Sequence, residues 1–77
     1  MDWIDARDAV YNEAHRAAGK WPPMHSQHEA YAVIKEEFDE YWVEVQKGGS
    51  KSRDPIALRT ELIHTAAMCL RTLHDLC

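Results

Sequence analysis

Acidic side chains are concentrated in one short segment of this 77-residue chain. The stretch from Glu36 to Glu44 contains five acidic residues and no basic one, and a second group, Glu61 and His64, follows further along. Carboxylates held close together repel one another unless a cation lies among them. Their oxygens suit a hard divalent ion such as Mg²⁺ or Mn²⁺, whereas an imidazole suits manganese, zinc or iron better than magnesium. These residue types predict a metal site, provided that the fold brings the two groups together.

Three helices are predicted to carry these residues, over about residues 2–18, 26–46 and 55–76. Each is opened by a residue whose side-chain oxygen suits an N-cap, namely Asp2, Ser26 and Asp54. Gly19 is a natural stop for the first helix, and Pro55 suits the first position of the third. The fold class is therefore predicted to be all-α.

The length of the chain allows a single domain, residues 1–77. A chain this short buries a modest fraction of its surface, so additional burial is expected from self-association. The connector between the second and third helices is short, and these two helices are therefore expected to be antiparallel neighbours. We predict a three-helix protomer that completes a four-helix-type bundle as a homo-oligomer, either a dimer or a tetramer.

The two acidic groups are predicted to share one edge of the helix pair. Successive residues lie about 100° apart around a helix. If Phe38 is the centre of the buried face of the second helix and Leu62 that of the third, both groups fall on flanks of the same sign. Flanks of equal sign lie on the same side of an antiparallel pair. One edge is therefore expected to carry four candidate ligands, namely Glu37, Glu40, Glu61 and His64.

The overall composition disfavours two kinds of partner. The formal net charge of −4 at pH 7 disfavours binding to the phosphates of duplex nucleic acid. No apolar run approaches the ~20 residues that a membrane-spanning helix requires. Cys69 and Cys77 are interpreted as reduced thiols, with Cys69 as a small filler of the buried stripe. We expect a cytoplasmic protein with neither a membrane nor duplex nucleic acid as its partner.

Two acidic motifs can be read along the second and third helices. The first is EExxE over Glu36–Glu40, and the second is ExxH over Glu61–His64. EExxE followed at this distance by ExxD is the pattern of the MazG-like, all-α nucleoside triphosphate pyrophosphohydrolases, which this chain resembles over about residues 25–76. The run Thr65–Met68 also resembles the small-residue helix of short, phage-type members. One position departs from the family pattern, because His64 stands in place of an aspartate.

The resemblance implies a metal-dependent enzyme. Its substrate would be a nucleoside or deoxynucleoside triphosphate, cleaved between the α- and β-phosphates into a monophosphate and pyrophosphate. The cofactor would be Mg²⁺ or Mn²⁺, held by Glu37, Glu40, Glu61 and His64. Glu36 would act beside Glu37 as a catalytic residue that orients water or binds a second ion.

Substrate contacts are assigned by residue type alone. Lys51, Arg53 or Arg59 would offset phosphate charge. Trp42 or Trp21 would stack on the base.

Two other interpretations remain open. The chain could be a catalytically inactive MazG-like helical module that binds a nucleotide, a metal or a protein partner, which the histidine at position 64 favours. It could also be a plain oligomeric bundle whose acidic residues form solvated helix faces.

Overall fold

In a computed structural model of the protein, residues 1–48 and 54–77 are described. Helix α1 spans Trp3–Ala18, α2 spans Gln27–Gln46 and α3 spans Pro55–Leu76. Within the two described ranges there is no strand. The prediction of an all-α chain with three helices is confirmed, and each helix begins and ends within one residue of its predicted bounds.

The helices begin at the predicted caps. Asp2 and Asp54 each accept a hydrogen bond from a backbone amide in the first turn, and the hydroxyl of Ser26 accepts one from the Glu29 amide at 3.1 Å. Ser26 and Glu29 have the spacing of a capping box, in which the two residues bond reciprocally. The Glu29 carboxylate instead accepts a hydrogen bond from the amide of His25, at 3.4 Å. The box is therefore half formed.

Helix α3 is the central element of the fold. Both α1 and α2 pack against it, and over the described ranges they do not pack against each other. The buried core consists mainly of small residues from all three helices and the first connector: Ala14, Ala17, Met24, Ala30, Ala67 and Met68. Alanines let helix backbones approach closely, so the side chains between the helices lie near one another.

The predicted centres of the buried faces are wrong by about one residue step, ~100°. Phe38 is 55% exposed and Leu62 is 47% exposed, while Glu37 and Glu61 turn toward the facing helix. Cys69, predicted to fill the buried stripe, is exposed as well. The prediction assumed that the largest apolar side chains face inward. The helices meet largely through alanines and Met68 instead, with Ile34 packed against them, whereas Phe38 and Leu62 remain outside.

Two charged side chains of α3 fasten the connector between α1 and α2. Arg71, which is 6% exposed, donates from Nη2 to the carbonyl oxygens of Pro22 at 2.9 Å and Trp21 at 3.4 Å. Asp75 accepts a hydrogen bond from the backbone amide of Met24, at 2.9 Å. Met24 itself belongs to the core, so these contacts fix where α1 ends and α2 begins relative to α3.

None of the three helices, over the part of the chain that the structure describes, combines the length and apolar character that a membrane crossing requires.

We predict that Arg71→Ala lowers the free energy of unfolding by roughly 2–4 kcal/mol, because a hydrogen bond to a charged group contributes ~1.5–3 kcal/mol and the connector carbonyls lose their donor. Urea denaturation followed by circular dichroism measures the change. Arg59→Ala removes an exposed arginine from the same helix and should change stability by less than about 0.5 kcal/mol. Equal losses in the two variants would show that Arg71 does not fasten the connector.

Candidate metal centre

Glu37, Glu61 and His64 meet in the interface between α2 and α3. Glu61 and His64 are neighbours on one face of α3 because they are three residues apart, and Glu37 faces them from α2. His64 Nδ1 lies 3.6 Å from Glu37 Oε2 and 3.8 Å from Glu61 Oε2. One potential ligand atom from each residue lies within 4.8 Å of the other two. Small side-chain adjustments would let one ion contact all three at ordinary ligand distances of about 2.0–2.6 Å.

The two carboxylates of this cluster each have an oxygen without a partner. Glu37 Oε2 and Glu61 Oε2 are buried and accept no hydrogen bond within the described part of the chain. Their side chains are 25% and 21% exposed. A charged oxygen that has lost its hydration without gaining a hydrogen bond is destabilising. These orphaned oxygens therefore fit a bound cation, which would supply the missing contact.

Burial and neighbouring charge raise the pKa of both carboxyl groups. Burial is the main reason that the pKa of Glu37 lies above its ordinary value of 4.5, and the Glu40 charge raises it further, while His64 opposes the shift. Burial likewise raises the pKa of Glu61, and the neighbouring Glu40 carboxyl group raises it further, while His64 opposes the shift. Ionising both carboxyl groups in the folded protein is therefore unfavourable, and a bound divalent ion would offset this free energy.

A further carboxylate comes from α1, and sequence reasoning missed it. Glu13 Oε2 lies 3.9 Å from His64 Nε2, and the Glu13 side chain is 15% exposed. Arg16 donates to both of its oxygens, at 2.8 Å to Oε1 and 2.6 Å to Oε2. The hydrogen bond from Arg16 lowers the pKa of Glu13 below 4.5, although burial opposes this shift. No motif marks Glu13, because its contact with His64 depends on how α1 packs on α3.

Glu40 and Glu36, the other acidic residues predicted for the site, lie at its margin. Both are exposed. Glu40 raises the pKa of both Glu37 and Glu61, so its charge acts on the cluster. Glu36 lines a groove together with Glu37.

Arg59 and Trp42, two of the predicted substrate-binding residues, do not line the groove beside the cluster. Lys51 and Arg53 lie outside the described residues. Arg59 is an exposed residue of α3 and does not line the groove beside the cluster. Trp42 is 54% exposed and lies one helical turn after Phe38, on a different flank of α2 from Glu36.

The groove beside the cluster has a volume of about 490 Å³ and is formed between α1 and α2, with α3 as its floor. His64 and Glu37 line it on the side of the cluster. Arg16 and Trp21 line it as well, and both are exposed. Sequence reasoning missed Arg16 and named Trp21 only as an alternative to Trp42. The groove thus offers a cation and an aromatic ring next to the candidate ligands.

The raised pKa values of Glu37 and Glu61 predict that the metal-free protein loses stability as the pH rises. The affected pH range lies between the ordinary pKa of 4.5 and the raised pKa of each group in the folded protein. In this range the folded protein retains protons that the unfolded chain has released. The free energy of unfolding therefore falls across this window. Glu37→Gln should remove part of the decline and raise stability near neutral pH. Urea denaturation with a chelator present, over a series of pH values, measures both effects.

Glu36→Gln is the matched control, because it removes an exposed neighbouring carboxylate and should leave most of the decline in place. Glu13 and Asp75 act in a separate window. Their pKa values are lowered, so their stabilisation is lost as the pH falls below the ordinary values of 4.5 and 3.8. A Glu37→Gln variant whose stability follows the wild-type pH profile would contradict the assignment.

No protein-family model, curated protein or solved structure matches the chain. What the cluster can do therefore has to be inferred from its own geometry and chemistry.

Proposed function

We propose that the protein is a metal-dependent nucleotide pyrophosphohydrolase of the MazG-like kind, with its metal site between α2 and α3. The observation that carries the proposal is the pair of buried oxygens of Glu37 and Glu61, which find no hydrogen-bond partner in the described part of the chain and lie near Nδ1 of His64. These residues belong to the two acidic motifs, EExxE and ExxH, that resemble those of the family. Motif and geometry thus point to the same side chains.

The donor set favours manganese over magnesium. Glu37, Glu61 and His64 would hold the ion, with Glu40 adding charge or a further ligand from the margin. Two carboxylates suit either ion, but an imidazole suits the softer transition metals. A bound divalent ion would supply Lewis acidity toward phosphate oxygens and make a coordinated water more acidic. The same ion would remove the repulsion that raises the pKa of the two carboxyl groups.

The groove supports a nucleoside triphosphate as the substrate. Water would add to the α-phosphorus while the bond between the α-phosphorus and the oxygen that joins it to the β-phosphate breaks. The products would be the monophosphate and pyrophosphate. Arg16 is an exposed cation that can offset phosphate charge beside the cluster. Trp21 is 57% exposed and offers a ring on which a base can stack. Glu36 lines the same groove and is the candidate for orienting the water.

Self-association is the second part of the proposal. In an antiparallel α2–α3 pair, one flank faces α1 and the opposite flank bears large apolar side chains that stay accessible. We call this flank the outer apolar face, formed by Tyr31, Phe38, Trp42, Leu62 and Leu73, which are between 47% and 68% exposed. Aromatic side chains of about 150–250 Å² each leave roughly 300 Å² accessible on α2 alone. A second copy covering this face would complete a four-helix bundle.

A specific observation favours an inactive module as the alternative. His64 lies within 4 Å of carboxylates from all three helices, Glu13, Glu37 and Glu61. In its protonated form the imidazole is itself a cation, and it can neutralise part of the cluster without a metal. In that case the cluster would join the helices, and the groove would bind a nucleotide or a protein partner without cleaving it.

Metal binding is the first test of the proposal. We predict that Mn²⁺ raises the melting temperature of the wild type by roughly 10–20 °C, because a ligand at about 100 times its dissociation constant contributes ~2.7 kcal/mol, and ~1 kcal/mol shifts a small domain by about 4–8 °C. Glu37→Gln and Glu61→Gln should abolish the rise. Asp39→Asn, which removes an exposed carboxylate from α2, is the control and should keep it. A full rise in both glutamine variants would exclude this site.

Catalysis is tested separately, by pyrophosphate release from a panel of deoxynucleoside triphosphates with Mn²⁺. Glu37→Gln should lower the rate by at least about tenfold through weakened metal binding, and Asp39→Asn should not. His64→Asp separates the two functions. If the site is a weakened family site, this variant responds to Mg²⁺ more strongly than the wild type does. If His64 serves as a built-in cation, the variant loses stability and gains no metal response.

The outer apolar face predicts concentration-dependent association. Phe38→Asp places a charge at the centre of this face and should convert the oligomer to a monomer, because an unpaired charge buried in an apolar interface is destabilising. Sedimentation velocity measures the change. Trp3→Asp is the control, since Trp3 is 92% exposed at the start of α1 and outside that face. A wild-type protein that remains monomeric at high micromolar concentration would contradict the prediction.

A further inference from the structure

Helix α1 lies outside both acidic motifs, yet it supplies a carboxylate to the imidazole of His64. The two ring nitrogens face different partners. Nδ1 lies toward Glu37 and Glu61, at 3.6 and 3.8 Å, and Nε2 lies toward Glu13, at 3.9 Å. We propose that Glu13 is a positioning residue, which holds the Nε2–H of His64 and thereby directs the Nδ1 lone pair to the ion bound by Glu37 and Glu61. This inference rests on the proposed metal site.

The chemistry of histidine explains why such a partner is needed. A neutral imidazole carries a proton on one nitrogen and a lone pair on the other, and only the lone pair can bind a metal. A carboxylate beside one nitrogen favours the proton there and leaves the other nitrogen free for the ion. The Glu13–His64 distance of 3.9 Å exceeds that of a hydrogen bond. A small rotation of the ring would close it once Nδ1 engages a cation.

Glu13 is itself held in place, as an orienting group must be. Arg16 donates to both carboxylate oxygens, which restricts rotation of the carboxylate. The Oε2 atom that accepts from Nη2 of Arg16 is also the atom nearest His64 Nε2. Because the Glu13 side chain is only 15% exposed, water competes little with His64 for its carboxylate. The series Arg16–Glu13–His64 therefore runs from the groove surface to the candidate ligands.

The position of the imidazole also accounts for the departure from the acidic motif. An aspartate at position 64 could bind an ion through either of its equivalent oxygens. A histidine must present one particular nitrogen, so its orientation has to be set by a second group. In this chain that group is Glu13, which Glu37 and Glu61 could not replace because they lie on the Nδ1 side of the ring.

Manganese affinity tests the inference. We expect Glu13→Gln to weaken Mn²⁺ binding about 10–100-fold, as the loss of a group that orients a metal ligand typically does, when free Mn²⁺ is measured by electron paramagnetic resonance. Glu13→Asp keeps the charge but shortens the reach, and it should weaken binding to a similar extent if positioning matters. Glu29→Gln removes a carboxylate that lines the same groove, and it should stay within about twofold of the wild type. Circular dichroism verifies that each variant is folded.

Nitrogen chemical shifts of the Zn²⁺-loaded protein provide a readout independent of affinity. In the wild type, His64 should carry its proton on Nε2 and bind the metal through Nδ1, and Glu13→Gln should give a mixture of the two forms. A wild type that carries the proton on Nδ1, or Glu13 variants with wild-type Mn²⁺ affinity, would overturn this inference and leave the metal site standing. A wild type that binds no metal would overturn the metal site and, with it, this inference.

Discussion

The structure depends on how the negative charge of the carboxylates around His64 is compensated. Carboxylates of α1, α2 and α3 converge on the imidazole of His64. The oxygens of Glu37 and Glu61 nearest to it are buried and have no hydrogen-bond partner among residues 1–48 and 54–77. Ionised groups in such a place are destabilising unless a positive charge compensates them. The raised pKa of both carboxyl groups is the direct expression of that cost. A cation bound at the proposed site would therefore stabilise this helix interface.

Small side chains create this condition. The core consists largely of alanines from the three helices, so backbones come close, and Glu37 and Glu61 each have a buried oxygen. The same packing leaves the two sides of the α2–α3 pair unlike each other. One side faces α1 across a groove lined by charged residues and Trp21. The other side exposes aromatic and leucine side chains, among them Phe38 and Leu62. Close packing therefore produces both the candidate site and the surface that a second copy could cover.

Local sequence signals made the bounds of the helices predictable. The rotation of each helix about its own axis could not be predicted from them. Asp2, Ser26 and Asp54 cap the helices where their side-chain chemistry predicts, because capping involves residues that are near in sequence. The buried faces were misplaced by about one residue step, since rotation is decided by packing among helices. The prediction still brought Glu37, Glu61 and His64 together, because an equal error on both helices kept them on one side. Glu13 could not be found in this way, because its contact with His64 is made between α1 and α3.

The rotation changes what a metal would do. Had the acidic groups lain on an outer edge, an ion would have bound at the surface and affected folding little. Because Glu37 and Glu61 face each other between two helices, the same ion would join those helices and remove their repulsion. Metal binding and folding would then be coupled. The ligands come together only in the folded state, so the free energy of metal binding would add to the stability of that state. His64 would narrow the choice of ion, because an imidazole among carboxylates suits manganese better than magnesium. In the proposed enzyme, a single ion would thus take part in substrate cleavage and also stabilise the α2–α3 pair.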